Sequence, residues 1–104
     1  MATTTKALAR TAAATSNTTL YTVPNSSTIT IVTNIVVTNT TTSAATYTIN
    51  IDGIAILSGT SVSANAATVV DLKQVIPANA TPKTISGSAS TTGVNFHISG
   101  VEVS

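Results

Sequence analysis

Of the 104 residues in this chain, 44 are Val, Ile or Thr, and all three types are branched at Cβ. Two heavy substituents on Cβ stiffen χ1, weaken the preference for helix and suit the pleated, half-buried surface of a sheet. Leu occurs only four times, and no stretch repeats its apolar residues at helical spacing. The high Ser and Thr content would suit a solvated linker, but 42% hydrophobic residues is more apolar surface than a disordered chain carries. The chain reads as all-β.

From Thr18 onward the pattern alternates with a period of two. Leu20 and Thr22, set against Tyr21 and Val23, make a first short strand, closed by turn chemistry at Pro24-Asn25-Ser26-Ser27. A long strand is expected over residues 29–38, with Ile29, Ile31, Thr33, Ile35 and Val37 on one face and a bend near Asn34. Tyr47, Ile49 and Ile51 then alternate with Thr46, Thr48 and Asn50, run into Asp52-Gly53 and continue as Ile54, Ile56 and Leu57. Asp-Gly between two apolar runs predicts a two-residue hairpin, because Gly takes positive φ without a Cβ clash. Further strands are expected over 67–72, after which Val75-Ile76 stops at Pro77, and over 84–90 and 94–103. Ile85, Gly87 and Ala89 share a face that suits a close sheet-to-sheet approach. In the last strand Val94, Phe96 and Ile98 are even but Val101 and Val103 are odd, which predicts a change of buried face across Gly100. These elements predict a seven- to eight-stranded antiparallel β-sandwich, jelly-roll or Ig-like, over residues 18–104; a closed barrel is the alternative.

Residues 1–17 stand apart as an extended N-terminal arm. They hold Lys6 and Arg10 but no acid, and Leu8 is their one sizeable apolar side chain besides Met1. Their longest apolar core, Ala12-Ala13-Ala14, is too short for a secretory signal, and the segment is short and weakly amphipathic for a transit peptide. The arm reads either as a flexible terminus or as a segment that orders on a partner.

The chemistry on offer is sparse. With no Cys there is no disulfide, thiolate metal site or cysteine nucleophile. His97 is the one imidazole, and Asp52, Asp71 and Glu102 are the only acids, scattered in sequence. No triad or calcium-binding set can be named from them, so neither an enzyme nor a metal or other cofactor is expected. A net charge of +1 gives no footprint for nucleic acid, and no apolar run approaches the roughly 18 residues of a membrane helix. Asn-x-Ser/Thr sequons start at Asn17, Asn25, Asn39 and Asn79, close to the number that so much Ser and Thr gives by chance. The Thr28/Thr30 and Thr46/Thr48 pairs are too isolated to form a repeating binding array.

What is unusual is the shortage of charge. Only 7% of residues are charged, against about 25% in ordinary soluble domains. No charge occurs between Thr11 and Ile51. Sheet proteins normally guard their edges with Lys, Pro or inward charges, and an unguarded apolar strand invites aggregation. Coverage by other copies resolves the problem, so a homo-oligomer is expected, cyclic and most simply a homotrimer.

Two stretches resemble small β-sandwich structural proteins of tailed bacteriophages: Thr18-Thr19-Leu20-Tyr21-Thr22-Val23-Pro24, and the run from Thr92-Gly93-Val94-Asn95-Phe96-His97 through Ile98-Ser99-Gly100-Val101-Glu102. Ile35-Val36-Val37-Thr38-Asn39, followed by a Ser/Thr/Ala turn, is similar too. The chain departs from such proteins at Asn25-Ser26-Ser27, where they often have Gly, and at Asn79-Ala80-Thr81-Pro82, where they often have Gly-Asp. The resemblance implies a virion protein on the particle surface, with no catalytic residues to carry over. The expected role is capsid decoration or cement, bound to the major capsid protein or another virion protein through Lys6, Leu8 and Arg10 in the arm. A tail- or neck-fibre module binding a host surface is the alternative.

Overall fold

The structure, a computed structural model, describes residues 3–104. Its strands are β1 (Thr3–Ala12), β2 (Thr18–Thr22), β3 (Ile29–Asn39), β4 (Ala45–Ile51), β5 (Ile54–Val62), β6 (Ala66–Ile76), β7 (Thr84–Ala89) and β8 (Val94–Val103). They pair antiparallel in two four-stranded sheets, sheet A in the order β1-β8-β3-β6 and sheet B in the order β2-β7-β4-β5. That order is a jelly roll, which settles the choice left open between jelly-roll, Ig-like and barrel.

The core lies between the sheets. Val32, Ile35 and Val37 of β3 and Phe96 and Ile98 of β8 meet Tyr47 and Ile49 of β4 and Ile85 of β7, all buried. The Phe96 and Tyr47 rings pack edge to face at 6.2 Å and join the sheets at the centre. The hairpin expected at Asp52-Gly53 is present, with φ of 55° and 73°, the left-handed pair that a two-residue turn matched to strand twist requires.

The main departure is at the N-terminus. Residues 3–12 are not a separate arm in this structure but the edge strand of sheet A, laddered to β8 from Thr3↔Val103 to Ala12↔Asn95. A jelly roll needs eight strands, and β1 is the eighth. Its register shifts between Ala7 and Ala9, a bulge at Leu8. Leu8 is buried in the core.

The face changes also fall elsewhere than expected. The bend foreseen near Asn34 is a register shift between Val32 and Asn34 in both ladders of β3. Thr30 and Val32 are therefore buried before it and Ile35 and Val37 after it, so the odd residues do not share one face. β8, in contrast, keeps its parity through Gly100: Val94, Phe96, Ile98 and Gly100 are buried, and Val101 and Val103 lie with the outward set. Gly100 is required by close packing rather than by a bulge. A Cβ there would overlap the Ile31 carbonyl oxygen and come within 2.7 Å of a Leu8 methyl. Gly87 serves a close approach within its own sheet, since a Cβ would stand 2.7 Å from the Thr48 carbonyl oxygen on the adjacent β4.

Candidate functional site

Three surfaces carry the chemistry available to the described residues. The first is a polar cluster where the sheets meet beside β1. The Tyr21 hydroxyl, from β2 in sheet B, donates to the Glu102 carboxylate of β8 and shares a 2.9 Å hydrogen bond with Thr30 of β3. Lys6 of β1 reaches the same carboxylate at 3.4 Å. Burial, then the bond to Glu102, pushes the Tyr21 hydroxyl up to about 12. The cluster ties four strands from two sheets into one corner, and its members satisfy one another. It is a structural clasp.

The second is a shallow depression of about 460 Å³ on the flank of β1 and β8, where Lys6 and Arg10 stand beside Thr5, Thr33 and Ser99. The Thr33 hydroxyl donates to the Ser99 carbonyl at 3.1 Å and closes the floor. Of the three arm residues singled out from the sequence, Lys6 and Arg10 both line this depression, but Lys6 turns its amine to Glu102 whereas Arg10 stands in register with outward-facing His97. Leu8 is not with them, because the bulge turns it into this chain's own core, where it holds β1 from beneath. Arg10 is in register with His97, which pairs onward with Val36. His97 therefore lies on a sheet face beside a cation, and no group of three or more His, Asp or Glu forms among the described residues.

The third surface was not foreseen. The ladders set Val103 beside Ile29, and Val101 beside Ile31, which pairs in turn with Val75 of β6. One strand repeat beyond the bulge, Val36 pairs with Val69. All are only half-buried or exposed, with Val69 at 60% and Val75 at 58%. The outer face of sheet A therefore carries branched aliphatics with no cover in the single chain, in two groups separated by Asn34, Ser99 and Asp71. Reading Val101 and Val103 as buried concealed it; the signal available was the unbroken even parity from Val94 to Glu102. Ile54, at 70%, is a further exposed aliphatic at the hairpin tip.

The sequons change meaning in this setting. Asn39 is 2% exposed, with its amide donating to the Ser43 and Val62 carbonyls and its oxygen accepting from the Thr41 amide and hydroxyl. That side chain is a loop support.

No family model matches the chain, and no curated protein does. Solved structures do share its fold, among them chains of infectious bursal disease virus. A chain in a structure of the Gx strain aligns over 97% of this chain at 16% identity with a TM-score of 0.53. One in the crystal structure of the T13 viral particle aligns over 97% at 11% identity and 0.56, and one from the Gt strain over 97% at 14% identity and 0.51. This chain spans 30% to 32% of the length of those chains. At such identities the likeness is one of fold alone.

Proposed function

We propose that this chain is a structural virion protein that decorates a bacteriophage head and cements it by binding the outer surface as an oligomer, most simply a homotrimer. The observation that carries this reading is the uncovered aliphatic face of sheet A on a chain with only 7% charged residues. Exposed aliphatics grouped on one sheet face mark a surface that other chains cover. The fold shared with chains of a viral particle supports the same reading. Arg10, which lines the depression beside His97, is suited to acidic groups on a shell or a neighbouring subunit. A ligand that binds the assembled shell and not its separated subunits stabilises the shell by mass action, with no catalysis.

The test is to purify particles, identify the protein by mass spectrometry, strip it and measure capsid melting. A lower melting temperature that recovers on adding the protein back supports cementing. Unchanged melting, or particles free of the protein, refutes it. Density on the tail or neck in a particle reconstruction would instead favour the fibre reading.

A further inference from the structure

Each sheet has two edge strands, and each of the four carries a register shift. β2 has five residues and a register shift between Thr19 and Tyr21. β5 follows two register shifts and carries Gly59 at φ 56°. β1 is bulged at Leu8 and presents Lys6 and Arg10. β6 is different. It runs for 11 residues without Pro, pairs with β3 on one side, and forms no ladder on the other among the described residues. Its odd residues Ala67, Val69, Asp71, Lys73 and Val75 are all exposed; its even residues are half-buried from Ala66 to Leu72, Gln74 is exposed, and Ile76 is buried again beyond the shift.

The order of those exposed residues has a symmetry of its own. Val69-x-Asp71-x-Lys73-x-Val75 is pseudo-palindromic about Leu72: valine matches valine, and the acid matches the base. Two copies of β6 laid antiparallel about a twofold axis at Leu72 put Asp71 opposite the partner's Lys73 and Lys73 opposite the partner's Asp71. The same register puts Val69 opposite the partner's Val75, and each Val75 opposite the partner's Val69. The two charges that would otherwise guard the edge then neutralise each other across it, and the two most exposed valines of the molecule cover each other. Cross-strand pairs of both kinds stabilise antiparallel sheets, and an isologous twofold contact requires such self-complementarity.

We infer that β6 is a homotypic docking edge, through which two copies join sheet A to sheet A in one continuous eight-stranded sheet centred on Leu72. The contact goes beyond the proposed virion role and does not depend on it. It also coexists with threefold assembly, because a trimer leaves three β6 edges free to link it to others.

Sedimentation of the intact chain over a concentration series tests this, with the charge swap as the decisive arm. Even-numbered species are expected, a dimer or, where the threefold also forms, a hexamer. Asp71→Lys or Lys73→Asp alone, each on an exposed site that leaves the fold intact, turns both cross-strand ion pairs into repulsions. Each single change is expected to weaken the even-numbered association by about tenfold or more. Asp71→Lys with Lys73→Asp together restores it to within about threefold. A chain that stays monomeric or purely trimeric at every concentration overturns the proposal, and so does a double swap no better than the singles. As the chain has no native cysteine, Leu72→Cys gives a second reading. It is expected to form a disulfide-linked dimer under mild oxidation faster than Thr19→Cys on the β2 edge, and equal rates count against the register.

Discussion

Tyr47 is buried to 1% exposure, yet its hydroxyl finds no hydrogen-bond partner among the described residues. The ring contributes through its contact with Phe96, whereas the oxygen only loses water. Tyr47→Phe keeps the ring and removes the orphan, so chemical denaturation should show unchanged stability or a gain of up to about 2 kcal/mol. Asn39 is the opposite case, since its hydrogen bonds serve Thr41 and Ser43 of the loop beside it and the Val62 carbonyl at the end of β5. Asn39→Ala leaves the Val62 carbonyl and the Thr41 amide without that partner and should cost about 2 kcal/mol or more in the same measurement. Tyr21 adds a pH dependence. Its hydroxyl ionises near 10 in the unfolded chain and at about 12 in the fold, so the folded state holds this proton more tightly. The stabilisation is whole below pH 10 and is lost as pH rises from 10 to 12. The urea midpoint should fall over that window, and Tyr21→Phe should flatten part of the fall. Tyr47, also shifted upward by burial, accounts for a further part.

Among the elements, β1 shows what sequence patterning misses. The hairpin of β4 and β5 was legible because Asp52-Gly53 is local chemistry: two positive φ values can be read from two adjacent residues. β3 and its bend were legible from length and composition. β1 was not, because an edge strand needs only one inward anchor, and a bulge at Leu8 breaks the alternation that would have revealed it. Its other residues are small or polar and serve equally well as strand or tail. Parity failed at β8 for a related reason. Glu102 points to the inner side to meet Tyr21 and Lys6, so an acid occupies a position that hydrophobic alternation reserves for an aliphatic. Lys6 and Arg10 were legible as residues, but the partners each one meets, Glu102 and His97, depended on the unseen strand. If β1 is integral, removing residues 1–12 uncovers β8 and the core around Leu8. The shortened chain should then lose cooperative thermal unfolding or precipitate, whereas a dispensable arm could be cut with no change in melting.

At the level of the whole molecule, nearly every ladder joins distant parts of the chain. β1 waits for β8, β2 for β7 and β3 for both β6 and β8, which leaves β4 with β5 as the one tight hairpin. Closing such large loops before contacts reward them is slow, so stopped-flow refolding should run on the millisecond-to-second scale or slower, not in microseconds. The outermost ladder has a different consequence. Thr3 stands directly across from Val103, so the two ends of the fold are next-door neighbours at one corner of the sandwich. A polypeptide could enter and leave there as through a single doorway, and a passenger tethered at either end would emerge at the same place. Sewing the ends together with a few residues and opening the chain at the 77–83 connection would give a permuted protein with every ladder intact.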